Sequence, residues 1–377
     1  MQTLDKYLTI MTERKASDLF FSVGAPVNIK IEGMTEPLDE PALSSGAVKE
    51  LAYSVLSEDQ ERTFERELEM NLSLFKPDIG RFRVNLYRQR GEVAMVIRYI
   101  KEQIPTIAEL NLPPLLNDLV MEPRGLVLIV GSTGSGKSTT LAAMIERRNK
   151  QATGHILTIE EPIEFLHHHR KSIVDQREVG LDTLSYGNAL KNAMREAPDV
   201  LLIGEVRDPE TMQQAIAYAQ TGHLCLTTLH ANNAYHALQR ITNFFPDEAR
   251  THIQADLSLH LKAIVAQRLV MGTDGMRLPA VEVMLTSPYM AELIERGEID
   301  KVKDVIEQST DRGMQTFDQA LFRLYTEGRI SQDEALRNAE SHNNLAVRIR
   351  LAEGGAHAPE GVALQEQDRA GIQPSRK

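Results

Sequence analysis

The sequence predicts an α/β protein: a core of mainly parallel sheet, with an α+β module before it and a helical appendage after it. Three observations carry this. From Arg124 to about Val283, short apolar runs alternate with longer helical segments, as in a parallel sheet with crossover helices. Within that stretch Gly131-Ser132-Thr133-Gly134-Ser135-Gly136-Lys137-Ser138-Thr139 satisfies G-x-x-x-x-G-K-[ST] between a strand and a helix. Before residue 100, runs such as Arg81-Phe82-Arg83-Val84-Asn85-Leu86-Tyr87 alternate polar and apolar residues, which marks half-buried strands.

The elements follow in order. Residues 1–103 form the first module, opening on a helix with Leu4, Leu8 and Met11 at helical spacing. Strands are expected at 19–23 and 27–31, separated by the turn signal Gly24-Ala25-Pro26. A helical stretch runs from 44 to about 68, and a meander follows at 72–75, 81–87 and 93–98. Residues 104–118 read as an interdomain linker, interrupted by Pro105, Pro113 and Pro114. The core spans 119–286, with strands at 125–130, 155–159, 200–203 and 224–228. Residues 287–352 read as a helical bundle, with helices at 290–296, 302–307, 317–325 and 331 to about 351. Residues 353–377 have little to bury and are expected to be a disordered tail.

Bulk composition narrows the function classes. Among 377 residues, 42 Lys and Arg against 53 Asp and Glu give a net charge of −11, which disfavours a surface built for nucleic acid or anionic lipid. Cys225 is the single cysteine, so neither a disulfide framework nor a cysteine-based zinc site forms within one chain. The polar, amphipathic start lacks a signal-peptide core, and no apolar run is long enough to span a bilayer. A cytoplasmic chain is expected, without direct membrane insertion and touching a membrane only through a partner.

The loop at 131–139 carries the first chemistry. Its glycines let backbone N–H groups turn towards a phosphate, and the helix N-terminus adds partial positive charge. Lys137 is expected to reach the β/γ-phosphates of ATP, and the Ser138 hydroxyl to hold Mg2+. Asp199-Val200-Leu201-Leu202-Ile203-Gly204-Glu205 is an apolar strand that delivers Glu205 to the same metal shell. Between them, Thr158-Ile159-Glu160-Glu161-Pro162-Ile163-Glu164 runs from a strand into a turn crowded with carboxylates. Glu164 is the first choice for the base that activates water and Glu161 the second.

Thr221-Gly222-His223 and Thr228-Leu229-His230 bracket the fourth strand. His230 suits a sensor of γ-phosphate or a link to the next subunit, and His223 a structural role. His167-His168-His169-Arg170-Lys171 has a metal-like composition, but adjacent histidines do not converge on one ion, so a solvated basic loop is expected. Arg83 and Arg98, with Arg81 nearby, lie on neighbouring strands where they could share a face. An arginine finger supplied across a domain or subunit boundary would come from there, and surface salt-bridge arginines are the alternative.

With these motifs in this order, the chain resembles the secretion-type hexameric ATPases of the type IV pilus retraction branch, the PilT/PilU group. The resemblance covers about residues 3–350. It rests on the phosphate loop, the acidic box at 158–164, Gly204-Glu205-Val206-Arg207-Asp208, the histidine box at 221–230 and Gly313-Met314-Gln315-Thr316-Phe317-Asp318-Gln319. It implies a PAS-like N-terminal domain, a RecA-like P-loop ATPase core and a homo-hexameric ring with ATP between the two domains. It also implies arginines of the N-terminal domain reaching the nucleotide, which supports Arg83 and Arg98. The implied work is pilus disassembly in twitching motility, through contact with an inner-membrane platform protein.

Two departures from the group's pattern bear on which branch the chain resembles. The segment Tyr289-Met290-Ala291-Glu292-Leu293-Ile294-Glu295-Arg296 lacks the Ala-Ile-Arg-Asn-Leu helix of PilT-type motors. Arg195-Glu196-Ala197-Pro198-Asp199 has Ala where PilT-like chains usually carry an acidic residue. Both, with the extra tail, favour a PilU-type accessory that works beside a PilT-like retraction ATPase over an autonomous PilT-type motor. A pilus-assembly or type II secretion ATPase would usually bring a further N-terminal domain and often a four-cysteine zinc insertion. A RecA-like nucleic-acid motor would want an aromatic and basic stripe, and a nucleotide-gated scaffold would not need Lys137, Glu164 and Glu205 together.

Overall fold

The computed structural model of the chain describes residues 4–31, 33–100 and 103–355. The N-terminal part contains α1 (Leu4–Glu13), β1 (Asp18–Phe21), β2 (Asn28–Ile31), β3 (Met34–Pro37), α2 (Ala47–Tyr53), α3 (Glu58–Glu67), β4 (Glu69–Lys76), β5 (Gly80–Gln89) and β6 (Glu92–Ile100). Its six strands form an antiparallel sheet in the order β3-β2-β1-β6-β5-β4. Leu4, Leu8 and Met11 of α1 are buried, and with Phe21, Phe64 and Phe82 they belong to one core cluster. The helical stretch expected over 44–68 is two helices. Ser57 starts the second through a reciprocal capping box with Gln60, a device worth about 1 kcal/mol.

The central part contains α4 (Leu116–Leu119), β7 (Gly125–Gly131), α5 (Lys137–Gln151), β8 (Gly154–Glu160), β9 (Ser172–Glu178), α6 (Tyr186–Ala193), β10 (Val200–Ile203), α7 (Pro209–Gln220), β11 (Leu224–Leu229), α8 (Ala234–Asn243), α9 (Asp247–His260), β12 (Leu261–Met271) and β13 (Arg277–Leu285). These strands form a seven-stranded sheet in the order β13-β12-β7-β11-β10-β8-β9, parallel except for β13. Leu126, Leu128 and Val130 enter one core cluster and Val127 and Ile129 another, so β7 is buried on both faces. That explains its unbroken apolar run.

Three strands of this sheet were not expected. Ser172-Ile173-Val174-Asp175-Gln176-Arg177-Glu178 is too polar to stand out as a strand because β9 is an edge. β12 follows α9 with no Gly or Pro between them, and so reads as a continuation of the helix. Pro279 argues against a strand, yet β13 is the opposite edge, where a residue without an N–H is tolerated.

The chain continues as α10 (Pro288–Glu295), α11 (Val302–Gln308), α12 (Phe317–Thr326), α13 (Gln332–Asn338) and α14 (His342–Gly355). The single helix expected from 331 to 351 is broken. Backbone N–H groups of Glu340 and Ser341 donate to the Asp318 carboxylate at 2.7 and 3.1 Å, so a side chain from α12 caps the start of α14. Residues 353–355 end α14, and the rest of the expected tail lies outside the described residues.

Candidate functional site

Four neighbouring parallel strands, β7, β11, β10 and β8, deliver chemistry to the same carboxyl edge of the sheet, where open α/β folds bind ligands. The phosphate loop follows β7, His230 follows β11, Glu205 lies two residues beyond β10, and Glu160 ends β8. They border a cleft of about 530 Å³ whose lining includes Lys137, Ser138, Glu164, Glu205, Arg207 and His230.

Close packing shapes the loop. A Cβ on Gly131 would stand 2.3 Å from Ser135 Oγ and 2.6 Å from the Gln267 carbonyl, so only glycine lets β12 lie this close. Gly136 caps α5 in the left-handed region, at φ 91°. Lys137 Nζ donates to the carbonyls of Gly131 (3.0 Å) and Ser132 (2.9 Å), and so lies back over its own loop. Burial lowers its pKa, while Glu205 and Glu164 pull the other way, which places both carboxylates within electrostatic reach of the ammonium.

Glu205 is held from two sides. Its Oε1 lies 2.9 Å from His230 Nε2 and its Oε2 accepts from Arg207 Nε at 2.8 Å. Thr228 Oγ1 donates to the Gly204 carbonyl at 2.7 Å and Val206 N to the Thr228 carbonyl at 2.9 Å, so β11 fixes the backbone that carries Glu205. His230 is held below its ordinary pKa by burial and by the Lys137 charge, with Glu205 opposing.

The carboxylates of the acidic turn have different surroundings. Glu161 is tied to Arg207 at 3.0 Å. Glu164 is exposed to the cleft and makes no side-chain hydrogen bond or ion pair among the described residues. Burial pushes the Glu160 carboxyl up to about 7, although Thr158 Oγ1 (2.7 Å) and Gln176 Nε2 (3.2 Å) donate to it. Neither Arg207 nor Glu160 was assigned a role from sequence. Arg207 lies in the quoted Gly204–Asp208 motif, two residues past Glu205, but only the fold shows that it bridges Glu205 and Glu161.

Other expected site residues lie elsewhere. Arg83 and Arg98 are directly opposed in the β5/β6 register, yet neither lines the cleft. Two like charges in that position cost about 0.2–1 kcal/mol unless something offsets them. Arg98 Nε donates to buried Asp18 at 2.8 Å. Arg83 and Arg81 instead place positive charge towards Glu178, at the end of β9. His223 stands at the far end of β11, bonded to Thr221 Oγ1 at 3.0 Å and edge-on to Tyr218. The histidine tract is not wholly solvated: the His167 side chain is buried beside Glu146, and His169 accepts from Val174 N.

The donor set suits Mg2+, a hard cation that takes oxygen ligands and usually keeps several waters. Ser138 and Glu205 both line the cleft and offer oxygens to it. No group of three or more His, Cys, Asp or Glu side chains converges as a metal site among the described residues, so any such ion would also depend on ligand phosphates and water.

Known proteins resemble this chain over most of its length. The family described as type II/IV secretion system protein matches residues 1–321. The type IV pilus ATPase PilU of Pseudomonas aeruginosa is 51% identical over 348 residues, 92% of this chain and 91% of that protein. The type IV pilus retraction ATPase PilT of the same organism is 38% identical over 342 residues, 91% of this chain and 99% of that protein. A crystal structure of the pilus retraction motor PilT with bound ADP superposes with a TM-score of 0.86 at 37% identity, covering 92% of this chain and 100% of that one.

Proposed function

The chain belongs to the type II/IV secretion system protein family and, within it, to the PilT/PilU group; from that premise we propose that it is a Mg2+-dependent ATPase of type IV pilus retraction, nearer PilU than PilT. One observation carries the reading. Lys137, a tethered Glu205 and an untethered Glu164 border one cleft at the carboxyl edge of a parallel sheet.

Phosphoryl transfer asks for positioning and charge neutralisation. Lys137 exchanges its loop carbonyls for the β/γ-phosphates of ATP, while backbone N–H groups of residues 131–139 cradle them. Ser138 and Glu205 are the oxygen donors that would hold Mg2+, which supplies further neutralisation at the phosphates. Glu164, whose side chain has no hydrogen-bond or ion partner among the described residues, orients and deprotonates the attacking water; Glu161 is second because Arg207 already holds it. His230, in contact with Glu205, senses the γ-phosphate. Arg83 and Arg98 act from the N-terminal sheet across a domain or subunit boundary, and Arg83, which forms no ion pair among the described residues, keeps its charge available for this.

The working form is a homo-hexameric ring of chains divided as 1–103, 104–118, 119–286, 287–352 and 353–377. It stands at the inner membrane through a pilus platform protein and assists a PilT-like ATPase. No helix among the described residues is long and apolar enough to cross a membrane. The test is phosphate release with and without Mg2+, and with and without a PilT-type ATPase. Turnover that needs Mg2+ is expected. In cells, the protein should aid retraction only beside a PilT-type motor, and robust retraction with no other retraction ATPase present would overturn the accessory role.

A further inference from the structure

The loop leaving β11 carries His230 and then, within four residues, three groups tied to a cluster of charged side chains. The Asn232 carbonyl accepts from Arg268 at 3.5 Å, Asn233 Nδ2 donates to Glu340 Oε1 at 2.7 Å, and Ala234 N donates to buried Glu282 Oε1 at 2.8 Å. Arg268 and Glu282 belong to β12 and β13 of the core, whereas Glu340 lies between α13 and α14.

Glu340 is the hub of the cluster. Its side chain, 11% exposed, also pairs with Arg268 (3.2 Å) and with Lys303 of α11 (3.2 Å). Its own backbone N–H is fixed on Asp318 of α12. One carboxylate therefore touches the loop of the nucleotide cleft, a core strand and a helix of the appendage. A shielded ion pair is a poor source of net stability, because desolvation offsets much of the Coulomb gain. Its bonds are directional, however, and the Asn233 amide is satisfied in one position of the loop. Burial pushes Glu282 up to about 7, and the Glu340 charge adds to that.

We infer that Glu340 is a positioning residue for the nucleotide site: through Asn233 it clasps the loop of His230 to the C-terminal helices, so that the placement of those helices sets where His230 stands against Glu205. The inference rests on the ATPase reading above and deepens it, by making the appendage a regulator of hydrolysis. Movement of the appendage and the state of the cleft become coupled in both directions, as linkage requires. Asn233 also caps α8, accepting from His236 N at 2.9 Å, so a shift of Asn233 moves that helix with the loop.

Two substitutions break the clasp from opposite sides. Glu340→Ala removes the hub. Asn233→Asp keeps a capping oxygen for α8 but loses the amide donor and sets a like charge against Glu340. Both are compared with wild type and with His230→Ala, alone and in combination, in full-length protein whose melting and oligomeric state are checked. Each clasp variant should lower kcat about 3- to 10-fold with little change in KM for ATP, and neither should lower it further on the His230→Ala background. Amide exchange at residues 229–236 should rise in both variants. Wild-type kcat in both, or losses that multiply with His230→Ala, would overturn the inference, as would a His230→Ala protein with unaltered turnover. If wild type itself releases no phosphate, the ATPase reading fails; the clasp is then judged by exchange alone, where unchanged protection at 229–236 overturns it.

Discussion

His230 Nε2 lies 2.9 Å from Glu205 Oε1, joining the residues that follow two adjacent core strands. The contact follows from the parallel β10/β11 register, in which Ile203 pairs with Thr227, so that both strands emerge on the same edge. Burial and the Lys137 charge hold the His230 pKa below the ordinary value against the opposing pull of Glu205, which favours the uncharged imidazole in a site that already holds Lys137 and Arg207.

Lys137→Ala should lower phosphate release by about 100-fold or more, the scale seen when a preorganised donor to transition-state charge is removed. The Lys137 ammonium feels the charges of both Glu205 and Glu164. Turnover like that of wild type would sink the assignment of the cleft.

Glu164 and Glu205 should separate by step. Glu164→Gln should bind ATP with Mg2+ yet hydrolyse it slowly, whereas Glu205→Gln should also shift the Mg2+ concentration needed for half-maximal turnover. The difference in tethering motivates this, since Glu205 is bonded to His230 and Arg207 and Glu164 to neither. Superimposable Mg2+ titrations of the two variants would refute the division of roles.

Arg83→Ala and Arg98→Ala should each reduce turnover, but only the second should affect stability noticeably. Arg98 is the ion partner of Asp18, whose side chain is 5% exposed. Removing the guanidinium leaves a buried carboxylate with Ser17 Oγ as its remaining side-chain donor among the described residues, at a cost of about 1–3 kcal/mol. Denaturant melts and phosphate release on the two variants check both halves, and full activity in the double variant would make these arginines ordinary surface residues.

Glu282 gives a pH-dependent stability with a defined sign. Its carboxyl is raised from 4.5 to about 7 by burial, so between those values the folded chain binds a proton that the unfolded chain has lost. That group therefore costs stability progressively as pH rises from about 4.5 to about 7, and costs nothing well below 4.5. Glu282→Gln keeps the oxygen that accepts from Ala234 N. It should melt higher than wild type at pH 8 and at the same temperature near pH 4; a constant difference across that range would exclude the linkage.

Much of the fold was legible in local pattern. The strands β7, β8, β10 and β11 and the first turn of α5 were readable because each is a short apolar run or loop whose meaning does not depend on distant partners. β9 and β13 were not, because edge strands carry polar residues or proline that local propensity assigns to loops. The two helix breaks, at 54–57 and 339–341, differ in kind. Ser57 and Gln60 form a local box that a closer reading of the sequence could have found, whereas the second break is capped by Asp318 from another helix.

By itself the sequence determined a phosphate-binding loop on a strand–helix turn, an apolar strand leading to Glu205, and an order of elements consistent with a parallel core, since these depend on spacings of a few residues. Tertiary structure decided which strand ends become neighbours, and therefore that Glu205 meets His230, that Arg207 occupies Glu161 and leaves Glu164 open, and that Arg83 faces Arg98 away from the cleft. It also decided that Asn233 meets Glu340, 107 residues away. Such contacts arise when whole faces of strands and helices bury against one another, and no local period in the chain specifies which faces will meet.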